Sequence, residues 1–229
     1  MFKQLASPPK FYALASKSWL PLCVVGLLVL GLGLYLGLAV APVDRQQGEV
    51  YRAIYVHVPT AWMSMFLYLV ACLYGIFYWI YRSDVAASMM RAFLPTGAWM
   101  TFLALVTGAL WGKPTWGTYW VWDARMTSEL LLLFIYLGLL AIGRLAEDPA
   151  KSDRLLCIAL LIGAVNIPLI YLSVKYWNTH HQGYSVSMSG SSIDPSIAQG
   201  MWLSVVGLWV FCAGVVLNRG RHLLALRRF

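Results

Sequence analysis

The sequence predicts an all-α integral membrane protein with six transmembrane helices, and three observations predict it. Hydrophobic residues make up 60% of the 229 and charged residues only 11%, a balance outside that of soluble domains. Six apolar stretches follow one another, each long enough to cross a hydrocarbon layer about 30 Å thick. None shows the alternating pattern of a barrel strand, and within lipid a helix is then the economical way for a backbone to satisfy its own polar groups.

The first stretch, residues 19–40, carries Gly31, Gly33 and Gly37, which suit close helix packing. Residues 1–19 are too polar for a cleaved signal peptide and the run lacks a clear cleavage site, so it is expected to be a retained helix. The second, 58–81, begins beside Pro59, suited to a first helical turn. The third, 92–111, contains Pro95 and Thr101, where a kink is expected. The fourth, 127–143, follows Asp123, a residue suited to capping its first amides, and Arg125 and Glu129 are spaced to pair on it. The fifth, 155–176, holds Asn166 and Pro168, which predict another kink. The sixth covers 197–217. With no solenoid repeat, residues 1–229 read as one six-helix domain.

The net charge of +8 could suggest nucleic acid, but the basic residues form no stripe and no nucleic-acid motif appears. They mark topology. With the N-terminus cytoplasmic, that side holds 12 cations: Lys3, Lys10, Lys17, Arg82, Arg91, Arg144, Lys151, Arg154, Arg219, Arg221, Arg227 and Arg228. The other side holds 5, namely Arg45, Arg52, Lys113, Arg125 and Lys175. By the positive-inside rule both termini are cytoplasmic. The inner loops, 82–91 and 144–154, read as plain connectors. The outer connections contain His57, His180 and His181, every histidine but His222 of the basic tail.

Several functions are excluded. Cys23, Cys72, Cys157 and Cys212 each lie in an apolar run without metal or haem-attachment spacing, so they read as small core residues. No ionisable residues line up across a span as a proton or ion path would require, and no Walker glycine loop is present.

What remains is an outer aromatic stretch, Trp111-Gly112-Lys113-Pro114-Thr115-Trp116-Gly117-Thr118-Tyr119-Trp120-Val121-Trp122-Asp123-Ala124-Arg125. It is too rich in polar residues and breakers to span lipid. Its indole faces suit a flat apolar ligand and its cations that ligand's anionic edge, although Trp and Tyr also collect in ordinary interfacial belts. His57 in Tyr55-Val56-His57-Val58-Pro59 falls at the outer boundary, and His180 and His181 follow the fifth stretch. If they converge, imidazoles from separate connections beside an aromatic wall fit an iron porphyrin, with Arg125, Lys113, Arg52 or Arg45 on its propionates. The polar segment 183–192 is expected to be a flexible loop.

These motifs resemble the tryptophan-rich WWD signature of haem-handling proteins of cytochrome c biogenesis. With His-Val-Pro opening the second span and Trp-Asn-Thr-His-His-Gln-Gly after the fifth, the chain is similar over nearly its whole length to the CcmC family. The resemblance implies that His57 and His181 are the axial ligands of a haem b. His181 is preferred to His180 because it directly precedes Gln182-Gly183. It implies that Trp111, Trp116, Trp120, Trp122, Asp123 and Arg125 contribute to the haem platform. It implies a non-enzymatic role in the bacterial inner membrane: presenting haem at the periplasmic face to the haem chaperone CcmE, together with CcmD and the transporter subunits CcmA and CcmB. Two other readings stay open at this point, a b-type cytochrome for electron transfer and an exporter subunit that carries no haem. A longer cytochrome c synthetase of the same superfamily would need more spans and histidines.

Overall fold

The structure, a computed structural model, describes residues 7–145, 148–177, 179, 181, 186–187, 190–191 and 193–228. Helix α1 (Pro8–Tyr35) runs on into a π-helical turn, Leu36–Val40. A 3-10 turn, Glu49–Ala53, leads into α2 (Ile54–Tyr81), followed by α3 (Asp84–Trp116) and α4 (Ala124–Leu145). Next come α5 (Pro149–Gly163), α6 (Asn166–Tyr176), a two-residue hairpin of β1 (Val186–Ser187) and β2 (Gly190–Ser191), and α7 (Pro195–Arg228). Six spans are long and apolar enough to cross a membrane, with α5 and α6 together making the fifth.

The number and order of spans are as expected, but their ends are not. The third begins at Asp84 rather than 92, because Arg91 does not end it. That guanidinium is inside the helix, bonded to Asp153, Ser152 Oγ and the Gly143 carbonyl. Asp153 is buried and also bonded to Arg227, so the segments read as plain connectors contribute a buried ionic hub joining α3, α5 and α7. The second span begins at Ile54, which places Pro59 inside α2 and His57 in its first turn. The fifth breaks at Ala164 and Val165, beside the expected kink, and Asn166 Nδ2 donates to the Ser128 carbonyl of α4 across the break. Pro95, by contrast, sits within an uninterrupted α3.

Helices α2 and α3 form the central antiparallel pair, joined by a turn in which Arg82 adopts φ 51°. Helix α1 packs lengthwise on α7. A Cβ at Gly26 would fall 2.7 Å from the Phe211 Cα, and one at Gly200 3.0 Å from the Gly37 backbone, so the two helices touch backbone to backbone. Gly33 shares in this seam, whereas Gly31 faces open space. Arg221 donates to Ser16 Oγ, which puts the chain's two ends at the same end of the bundle. Helices α4, α5 and α6 close the other flank. Cys72, Cys157 and Cys212 are buried and Cys23 half-buried, all as free thiols. The expected loop 183–192 lies outside the described residues except for the hairpin.

Candidate functional site

Three connections bring polar groups together at the bundle end opposite the termini. Arg52 organises the first. Its guanidinium pairs with Glu49 and donates to the carbonyls of Gly37 and Ala41, which receive no bond from a continuing helix. This fixes the 3-10 entry to α2, and with it the position of His57.

His57 is 8% exposed and firmly held. Its Nδ1 lies 3.1 Å from both the Ala104 carbonyl and Thr107 Oγ1 of α3. A carbonyl only accepts, and the Thr107 hydroxyl already donates to Leu103 O at 2.7 Å. Nδ1 is therefore the N–H donor, and in the neutral ring Nε2 carries the lone pair. Gly108 lets α3 come this close, since a Cβ there would stand 2.9 Å from His57 Cε1.

Opposite stands His181, beyond the end of α6. The two imidazole centres are 6.0 Å apart with planes inclined by 24°. Trp111 meets His57 edge to face at 5.6 Å, and Trp116 meets His181 edge to face at 5.7 Å. Trp111 is braced by Tyr51 and by its indole N–H, which donates to Gln47 Oε1 at 2.8 Å. Burial first, and then the nearby Arg125 guanidinium, push the His181 imidazole down to about 4. A neutral imidazole offers a metal its lone pair.

Both imidazoles line two cavities. One is lined by His57, His181, Trp116, Ala61, Ala104, Leu105, Gly108, Arg125, Met126 and Glu129. The other is lined by His57, His181, Gly108, Trp111, Thr115, Trp116 and Gln47. Two imidazoles sharing one metal, with metal–nitrogen bonds of about 2 Å and each nitrogen about 1 Å from its ring centre, hold those centres about 6 Å apart. The observed spacing meets that requirement, and both imidazoles line each of the two cavities.

The aromatic stretch divides into two parts. Residues up to Trp116 belong to α3, which ends at Gly117 with φ 80°, a left-handed cap whose N–H bonds the Lys113 carbonyl. Trp111 and Trp116 thus project from a helix into the site. Trp120 and Trp122 pack edge to face on each other at 5.3 Å, and neither lines the two cavities. Trp122 is 75% exposed. Asp123 caps α4 as expected, Oδ1 accepting from the Met126 N–H at 2.8 Å. Lys113 folds back on the Gly117 carbonyl and over the Tyr119 ring.

One expected contact is replaced. Arg125 and Glu129 form no ion pair: Arg125 donates to the Ile170 carbonyl at 2.8 Å, while Glu129 accepts from Ser64 Oγ at 2.7 Å. Tertiary partners on α6 and α2 outcompete the local pairing. His180 lies outside the described residues. Thr107, Gly108, Gln47, Met126 and Glu129 join the site without having been singled out for it. Glu129 alone carried a signal, as a carboxyl inside an apolar run; Thr107 and Gly108 are unremarkable in a membrane helix.

Comparisons with known proteins identify the family. The model of the CcmC family, described as heme exporter protein C, matches residues 1–229. The chain is 43% identical over 223 residues to "Heme exporter protein C" of Escherichia coli, covering 97% of this chain and 90% of that one. It is 45% identical over 193 residues to the protein of the same name in Bradyrhizobium diazoefficiens, covering 84% and 73%. A "Putative cytochrome c biosynthesis ccmC-like mitochondrial protein" of Arabidopsis thaliana is 39% identical over 190 residues, covering 82% and 72%. With a family model spanning every residue and such relatives along most of its length, the chain belongs to the CcmC family.

Proposed function

We propose that this protein is a haem carrier of cytochrome c maturation, a transport component with no catalysis of its own, acting as a single domain of residues 1–229. A haem b enters between His57 and His181, which supply the two axial nitrogens, while Trp111 and Trp116 wall the macrocycle and Arg125 meets a propionate. The 6.0 Å separation of the two imidazoles, which together line two cavities, carries this reading. Trp120, Trp122 and Asp123 form the outer shelf, whose exposed indole suits contact with the protein that receives the haem. The site faces the periplasm from the bacterial inner membrane, as the excess of cations on the opposite side supports. The recipient is the haem chaperone CcmE, and CcmD, CcmA and CcmB complete the assembly.

The asymmetry of the pair suits a carrier. His57 is locked in a helix by Ala104 and Thr107, whereas His181 stands on an irregular connection with ring contacts alone among the described residues. Ligands from a helix and from a connection hold haem from two separate elements. The test is expression with haem supply of His57→Ala, His180→Ala and His181→Ala, recording bound haem and chaperone loading. Both fall in the first and third and stay near normal in the second. Equal loading of all three variants overturns the axial roles.

A further inference from the structure

Among the described residues two carboxyl side chains, Asp153 and Glu129, are buried, and their surroundings differ. Asp153 meets Arg91 at 2.6 Å and Arg227 at 2.7 Å. Glu129, 6% exposed, has no countercharge in contact. Ser64 Oγ donates to its Oε1, and Oε2 is sealed from solvent without a hydrogen-bond partner. Leaving a buried carboxyl oxygen unpaired is costly, and an ionisable group kept within a span marks a ligand site by default.

The location specifies the ligand group. Glu129 lines the same cavity as His57 and His181, and so does Arg125, one turn earlier on α4. The hydrogen bond from Arg125 to the Ile170 carbonyl uses one guanidinium nitrogen, leaving other N–H groups of the fork for a ligand. A vinyl or methyl edge placed here would leave Glu129 Oε2 stranded. A carboxyl group would satisfy both residues.

We propose that Arg125 and Glu129 together form the carboxylate subsite of this cavity. A propionate of the bound porphyrin accepts hydrogen bonds from Arg125 and is joined to Glu129 Oε2 by one proton held between the two carboxyl groups. Two carboxyls in contact share a proton because both cannot carry charge. One guanidinium, two carboxyls and that proton sum to zero charge, the arrangement least costly at membrane depth. Ser64 is the positioning residue: it holds Oε1, and its own backbone carbonyl is fixed by the Tyr136 hydroxyl at 2.8 Å. The polar edge of the macrocycle is thereby directed toward α4, and its apolar edge away from it. This inference rests on the haem reading above.

The test compares purified full-length wild type, Glu129→Leu and Glu129→Gln, each titrated with iron protoporphyrin IX and with its dimethyl ester, in which both carboxylates are capped. Wild type is expected to prefer the free acid by about tenfold or more, the scale of a hydrogen bond to a charged group. Glu129→Leu loses most of that preference while still binding the ester with a low-spin spectrum. Glu129→Gln, which keeps a hydrogen-bond donor, recovers it. Full preference in Glu129→Leu overturns the proposal, as does an equal loss for both porphyrins, which assigns Glu129 to packing alone. Infrared difference spectra give a second readout on the conservative variant: a carboxyl band present with the free acid, absent with the ester, and removed by Glu129→Gln. The same band in Glu129→Gln contradicts the subsite. Wild type that binds neither porphyrin with a bis-imidazole spectrum instead fails the haem reading, a distinguishable result.

Discussion

His57 and His181 reach the same point by different physical means, and each has its own test. His57 is held by sterics and hydrogen bonding, so a single methyl is disruptive. Gly108→Ala puts a Cβ 2.9 Å from a ring carbon that cannot move without losing Ala104 and Thr107. Overpacking of this kind predicts haem affinity lower by about tenfold with helical content unchanged, measured by absorption titration beside circular dichroism. His181 depends on electrostatics and burial. Its pKa is pushed down to about 4 from an ordinary 6.5, so the folded chain binds fewer protons than the unfolded chain between those values. Stability of the ligand-free protein is accordingly untouched above about 6.5, declines as pH falls from there to about 4, and levels off below. Nitrogen NMR of labelled histidine should place the His181 midpoint near 4, and Arg125→Gln should raise it only in part, because burial is the larger cause. A midpoint near 6.5 in the wild type contradicts this assignment.

At the scale of elements, what positions the site is the length of α3 and the anchoring of α2. Helix α3 runs from the ionic hub at Asp153 to the cap at Gly117, so one rigid rod carries Thr107, Gly108, Trp111 and Trp116. The hub is separable from the site because it lies at the other end of that rod. Asp153→Ala strips two guanidiniums of their shared carboxylate, and breaking a buried pair in this way costs roughly 3 kcal/mol or more. The expected outcome is a lower unfolding temperature in detergent, with the spectrum of the haem-loaded protein unchanged. A changed spectrum at equal stability would mean that the hub acts on the site directly. At the other end, Gly117→Val forces a β-branched residue into φ 80°, which should displace the aromatic turn and weaken haem binding more than stability.

For the whole molecule, the division between what hydropathy revealed and what it missed has a physical cause. Six spans were legible because lipid imposes length and composition on every one of them. Their ends were not, since Asp84 and Arg91 look like stop signals until Ser83 caps one helix end and Asp153 neutralises the guanidinium. The imidazoles and indoles were legible as chemistry, because few residue types suit a metal macrocycle. Their surroundings were not. Thr107 and Gly108 matter only because α3 crosses α2 at His57. Glu129, an isolated carboxyl in an apolar run, was readily explained by Arg125 four residues earlier, and only the crossing with Ser64 separates the two.

The central claim is that one iron is held by imidazoles from α2 and from the connection after α6. Pulsed electron paramagnetic resonance of the oxidised haem-loaded protein, grown with nitrogen-15 histidine, tests it most directly. Two histidine nitrogens should couple to the iron, with one lost in His57→Ala and the other in His181→Ala. Two histidine couplings that survive either substitution, or coupling to a single histidine in the wild type, would contradict the account.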